Sequence, residues 1–230
     1  MKSFSLLLFM GIFLISCSSS EQADQKPSEA ATQKTQQVKA ADSNLAKLGI
    51  DTQADNQLGG LELGTLAPDI VAKDQNGEDF KLKTSLEEGP VVLIFYRGYW
   101  CGYCNQQLAA FEEELDQLKA KGARVVAISP ESTEYAKMTE EKTGSSVSII
   151  SDGDQSIMKS YKVAFQVTQD YQDKVKNFVK KGLTEMSNNS AATLPVPATY
   201  IIGKDGKISY RFYDPDYSKR ASVNDIIAAL

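Results

Sequence analysis

The chain has 230 residues, three cysteines and no histidine, with 25 Lys and Arg against 30 Asp and Glu for a formal net charge of −5. Without an imidazole, Cys-His and Ser-His-Asp nucleophile systems and His-containing zinc sites are excluded, and three thiols cannot furnish a four-thiolate zinc site or the usual iron–sulfur ligation. The acidic balance gives nucleic acid no electrostatic footprint, while 42% apolar residues are enough for one sizeable core.

At the N-terminus, Lys2 precedes an apolar run from Leu6 to Ile15, then Ser16, Cys17 and the serines Ser18 to Ser20. The run is shorter than the about 20 residues a helix needs to cross a bilayer, and it fits the apolar region of a secretory signal. Leu14-Ile15-Ser16-Cys17 resembles the lipobox of bacterial lipoproteins, which implies removal of residues 1–16, lipidation of Cys17, export, and anchoring of the protein to a bacterial membrane. From Ser18 to about Leu58 there is no aromatic residue, and Ser, Gln, Ala, Lys, Asp and Glu dominate. Such a composition predicts a flexible linker over 17–58, with room for a short helix around Ala40 to Leu48. The folded domain is then expected over 59–230.

Within that domain, Asp69 to Gln75 and Glu78 to Lys83 flank Asn76-Gly77, a hairpin signal. Val91 to Tyr96 reads as a strand covered on both faces. Leu108, Phe111, Leu115 and Leu118 follow at helical spacing, ending near Lys121-Gly122. Next come a strand from Arg124 to Ser129, a helix from Ser132 to Lys142, a strand from Val147 to Ile150 and a helix from Gln155 to Tyr161. Thr168 to Ser190 reads as an insertion with one amphipathic helix. Thr199 to Ile202 and Lys207 to Phe212 predict a hairpin around Asp205-Gly206, and Val223 to Leu230 a closing helix. Strands alternating with helices, plus a terminal antiparallel hairpin, predict an α/β three-layer domain with a mixed central sheet.

The chemistry concentrates in RGYWCGYC, Arg97 to Cys104, where the buried strand meets the following helix. Cysteines at i and i+3 share one helix face and can close a disulfide. Cys101 falls at the helix N-terminus, where free N–H groups and the positive end of the dipole favour a thiolate, so it is the expected nucleophile. Cys104, one turn in, suits a resolving thiol. Half of a zinc site is disfavoured for want of further soft ligands, and a structural disulfide over so short a loop would stabilise weakly. Arg97 either supplies charge to the thiolate or is a solvated strand-end residue. Tyr99, Trp100 and Tyr103 either pack or present a platform for partner chains, with Trp100 the candidate contact.

FYRGYWCGYC, together with LPVPATYIIGKDGKI (Leu194 to Ile208), DPDY (Asp214 to Tyr217) and GTLAPDI (Gly64 to Ile70), resembles the peroxiredoxin-like branch of the alkyl hydroperoxide reductase/thiol-specific antioxidant family. The resemblance implies a thioredoxin fold, a Cys101 nucleophile, and a cis Val196-Pro197 bond facing the pair, with free backbone before it for an incoming chain. Typical members carry a Thr three residues before the reactive Cys and a Pro seven before it; here those positions hold Gly98 and Ile94, and Pro197 aligns where they carry an Arg. Asp214 and Tyr217 read as loop structure.

Two activities share a first step in which the Cys101 thiolate attacks a weak bond. The bond is S–S of a protein disulfide, or O–O of a hydroperoxide; in either case Cys104 resolves the product and a thioredoxin-like donor restores the dithiol. No cofactor is called for. A lipoprotein binding module that uses no redox chemistry is the alternative of another class, and the presence of both cysteines speaks against it.

Overall fold

The structure, a computed structural model, describes residues 42–187 and 189–230. The signal segment, Cys17 and the linker up to residue 41 lie outside the described residues. Among the described residues no helix is long and apolar enough to cross a membrane.

A five-stranded sheet organises the chain. Its strands are β3 (Val91–Phe95), β4 (Arg124–Ser129), β5 (Ser148–Ser151), β8 (Ala198–Ile202) and β9 (Ile208–Tyr213), in the order β5-β4-β3-β8-β9. The β3–β4 and β4–β5 pairs are parallel, whereas β8 runs antiparallel to both β3 and β9. This is the mixed three-layer α/β arrangement that the alternation of strands and helices predicts.

The period-two geometry of a strand explains the layers. Val92, Ile94 and Tyr96 pack into one core with Leu108 and Phe111 of α3 (Gly102–Glu113) and Leu115 and Leu118 of α4 (Leu115–Ala120). Tyr135 and Ala136 of α5 (Thr133–Thr143) and Ile226 of α9 (Val223–Ala229) join the same side. Val91, Leu93 and Phe95 face the opposite core, formed with Leu82 and Leu86 of α2 (Leu82–Glu88) and Met158 of α6 (Ser156–Ser160). A strand buried on both faces can afford no polar residue, which is why β3 reads VVLIF.

Several expectations are corrected. The second arm of the first hairpin is short: β1 (Val71–Lys73) pairs with β2 (Asp79–Lys81), and Leu82 already opens α2, whose Leu82 and Leu86 stand one turn apart on the buried face. The helix after the cysteines is broken at Glu114 into α3 and α4. The insertion carries two helices, α7 (Gln169–Val179) and α8 (Leu183–Ser187), and is bracketed by a small antiparallel pair, β6 (Ala164–Gln166) with β7 (Thr193–Pro195).

The largest correction concerns residues 42–58, which composition assigns to the linker. Residues 42–47 form the short helix expected near Ala40 to Leu48, α1, but the stretch is not a free linker: Ile50 is buried in the first core and bridges Val167. The Gly49 carbonyl accepts the Thr168 N–H at 2.9 Å, and Asp51 N–H donates to the Gln166 carbonyl at 2.9 Å. Ile50, with Leu45 and Leu58 packed on the same core and a few hydrogen bonds to residues 166–168, docks this largely polar stretch. A Cβ on Gly49 would stand 2.5 Å from Cγ of Tyr171, so the segment presses directly on α7.

Candidate active site

The parallel strand β3 delivers the chain to a tight turn, Arg97 to Trp100, before α3 begins. Cys101 caps that helix with extended backbone (φ −85°, ψ 104°), and its carbonyl accepts N–H groups of Cys104 and Asn105 at 3.0 and 3.1 Å. The Cys101 N–H closes the turn on the Gly98 carbonyl at 3.0 Å. Cys101 and Cys104, with Cα atoms 5.2 Å apart, form a disulfide.

Gly98 is required twice over. Its φ of +148° is a region L side chains rarely adopt, and an added Cβ would fall 2.6 Å from both Glu131 Oε1 and Trp100 Nε1. The threonine typical of the resembling family has no room here, because a carboxylate and an indole fill that space.

Two guanidinium groups converge on the sulfurs. Arg220 Nη2 lies 3.3 Å from Cys104 Sγ and 3.8 Å from Cys101 Sγ, and its Nη1 donates to the carbonyls of Tyr217 and Lys219. Arg97 Nη2 lies 3.9 Å from Cys101 Sγ. The Arg97 side chain is buried (3% exposed) and held between aromatic faces, 3.8 Å over Tyr217, 5.0 Å over Trp100 and 5.4 Å over Tyr171. Neither arginine makes an ion pair among the described residues. Burial pulls the Arg97 guanidinium below its ordinary value; burial, and then the charge of Arg97, lowers Arg220 to about 10. Both remain cationic near neutrality.

Cys101 is 3% exposed and Cys104 fully buried. An open groove lined by Tyr103, Gln106, Gln107, Phe111, Arg220 and Val223 runs beside them. Among the described residues no cluster of His, Cys, Asp and Glu is arranged to hold a metal.

Of the residues singled out in the sequence, Cys101, Cys104, Arg97 and Trp100 come together. Arg97 is buried at the pair and not solvated. Trp100 is buried under Arg97, so it offers no platform for a partner; the exposed ring is Tyr103. Pro197 is buried at the start of β8, but the Val196–Pro197 bond is trans. Val196 and Pro197 alone join β7 to β8, and trans is the lower-energy isomer. The Val196 N–H is also occupied by the Val163 carbonyl at 2.8 Å, so it is not free for an incoming chain.

Arg220, Tyr171, Tyr217 and Glu131 were not legible as site residues. Tyr217 sits in the loop the sequence predicts and lies against Arg97. The chain has only four arginines, at 97, 124, 211 and 220, and two of them meet at the sulfurs, but nothing in their spacing marks Arg220 for that place. Nothing in the sequence spacing marks Tyr171, which arrives from the insertion.

If these cations stabilise the thiolate, Arg220→Gln raises the thiol pKa by about one unit, since one unit corresponds to a tenfold change in the ionisation equilibrium. The pH midpoint of iodoacetamide alkylation of the reduced protein is expected to rise by about one unit. An unchanged midpoint in a folded variant would remove Arg220 from this role.

Comparison with known proteins places the geometry. The AhpC/TSA family model matches residues 63–211. A thiol-disulfide oxidoreductase ResA of Bacillus cereus is 25% identical over 148 residues, covering 64% of this chain and 68% of its own. The chloroplastic peroxiredoxin Q of Sedum lineare is 26% identical over 167 residues, covering 73% and 76% respectively. Among solved structures, peroxidoxin BcpB from Mycobacterium tuberculosis superposes with a TM-score of 0.55 at 19% identity, covering 74% of this chain and 96% of its own, which shows a shared thioredoxin-like fold. The chain belongs to the AhpC/TSA family.

Proposed function

We propose that the protein is a thiol-dependent oxidoreductase in which Cys101 is the attacking thiolate and Cys104 the resolving thiol. The observation that carries this reading is a cysteine pair at a helix N-terminus with two guanidinium groups directed at its sulfurs, Arg97 buried and Arg220 half-buried, neither of them in an ion pair among the described residues. Relatives named as a thiol-disulfide oxidoreductase and a peroxiredoxin support it.

With a hydroperoxide, the Cys101 thiolate attacks the terminal oxygen, the O–O bond breaks, Cys101 becomes a sulfenic acid, and the departing alkoxide takes a proton from solvent to leave as the alcohol. Cys104 then attacks that sulfur, water leaves, and the disulfide forms. With a disulfide substrate, Cys101 displaces one thiolate to give a mixed disulfide that Cys104 resolves, releasing the second thiol. A thioredoxin-like dithiol returns the pair to the reduced state in both cycles. The burial of both sulfurs favours a small hydroperoxide as the oxidant, since any folded partner, the reducing donor included, has to displace Arg220 and its segment to reach them. The single-turn spacing of the pair favours exchange with disulfides, because Cys104 needs no large movement to resolve a bond to Cys101.

Cys104→Ser separates these. Exposed to hydroperoxide, the variant is expected to accumulate a Cys101 sulfenic acid that dimedone labels within seconds. If labelling fails and mixed disulfides with exported proteins accumulate, disulfide exchange is the activity; if neither product forms, the redox reading is wrong.

The lipobox-like Cys17 supports anchoring to a bacterial membrane, with the domain on the exported side. Two fatty chains hold a protein stably at a bilayer where one does not. Incorporation of labelled palmitate is expected in the wild-type chain and lost in Cys17→Ala; persistent labelling would refute the anchor.

A further inference from the structure

Glu131 follows β4 and is 2% exposed, yet no Lys or Arg pairs with it among the described residues. Its Oε1 accepts the Tyr99 N–H at 2.5 Å, inside the turn whose other end is Cys101. Its Oε2 faces the hydroxyls of Tyr96 at 3.3 Å and of Ser129 and Thr139 at 3.4 Å each. Gly98 is cut back to admit this carboxyl and the Trp100 indole. A buried acid is thus built into the base of the cysteine turn by three elements, β3, β4 and α5. None of the steps above uses it.

We propose that Glu131 is the positioning residue of the Cys101 turn and that it takes up a proton when the Cys101–Cys104 disulfide is reduced. The assignment rests on the redox reading of the pair. The step balances. A dithiol donor becomes a disulfide, giving two electrons and two protons; the S–S bond breaks, Cys104 takes one proton, Cys101 remains a thiolate beside its arginines, and Glu131 takes the second proton. Glu131 holds the Tyr99 N–H of the turn that Cys101 closes on Gly98, so a carboxylate and a thiolate there are like charges on one short turn, and their titrations are coupled.

The surroundings suit an exchangeable proton. Burial raises the Glu131 pKa to about 7, against the opposing bonds from Tyr99 and the hydroxyls. Other titratable groups lie one layer out: Tyr135 of α5 stacks on Tyr99 at 5.2 Å, Lys142 reaches the Tyr99 carbonyl at 3.2 Å, and Lys181 bonds the Tyr135 hydroxyl at 2.7 Å with Glu134 and Glu185 near it. None of these touches the carboxyl itself. The sign follows. A raised carboxyl pKa gives stability that is full below the unfolded value and lost as pH rises through about 7, so Glu131→Gln gains stability over wild type as pH climbs from 5 to 8.

That gain reports burial alone, so the decisive readout is redox-linked. The side-chain carboxyl carbon of Glu131, followed by NMR in the intact domain, is expected to titrate near pH 7 when oxidised and about one unit higher after chemical reduction. In parallel, the pH profile of Cys101 alkylation is expected to show two inflections in wild type and one in Glu131→Gln, with the thiol pKa lowered. Glutamine keeps an acceptor for the Tyr99 N–H, so the turn is retained; should it not fold, the wild-type NMR titration still decides. Identical Glu131 midpoints in the two redox states would overturn the proposal. Failure of the redox reading shows separately, as cysteines inert to hydroperoxide and disulfide in both proteins.

Discussion

A buried guanidinium without a carboxylate is the constraint around which this domain is assembled. Taking Arg97 out of water costs several kcal/mol for an unpaired charge. Three aromatic faces offset part of that, at about 0.5–2 kcal/mol for each well-placed ring. Each ring is brought by a different piece of chain: Trp100 by the cysteine turn, Tyr171 by the insertion helix α7, and Tyr217 by the segment that also carries Arg220. The segment at 42–58 completes the arrangement by pressing Gly49 against Tyr171. Elements far apart in sequence therefore serve one cation, and the anion that suits it is the thiolate it helps to create.

The redox consequence has a definite direction. In the oxidised protein the sulfurs carry no charge, and Arg97 and Arg220 repel each other across a neutral disulfide. Reduction places a thiolate between them. Whatever stabilises the reduced form raises the potential of the couple, so the electrostatics make the disulfide a ready acceptor of electrons from a dithiol donor. Glu131 works in the opposite sense when ionised, because its charge opposes the thiolate, and protonating it releases that opposition. Without histidine in the chain, cation and carboxyl divide between them what an imidazole does elsewhere.

The layered fold and the cysteine pair were legible for a physical reason: both depend on local patterns. VVLIF followed at once by a turn and i, i+3 thiols encodes a buried strand, a helix start and a nucleophile in fourteen consecutive residues. What stayed hidden depends on long-range packing. Ile50 stands among a few scattered apolar residues in a mostly polar stretch, and only the chain at Gln166 to Thr168, far along the sequence, makes it a core residue. Arg220 meets the cysteines across more than a hundred residues, and Glu131 looks like any loop acid until the carbon missing from Gly98 shows the space reserved for it. The cis proline is implied by resemblance alone, and in the structure the bond is trans, with the Val196 N–H held by the Val163 carbonyl.

Direct titration of the Cys101 thiolate in reduced protein, by its ultraviolet absorbance with Cys104→Ser to isolate the group, tests the central claim most directly. Two guanidinium groups and a helix N-terminus are expected to hold the thiol well below the ordinary cysteine value of about 8.5, mostly ionised at pH 7. A pKa at or above that value would contradict the account, leaving the arginines as packing and the thiol without its activation.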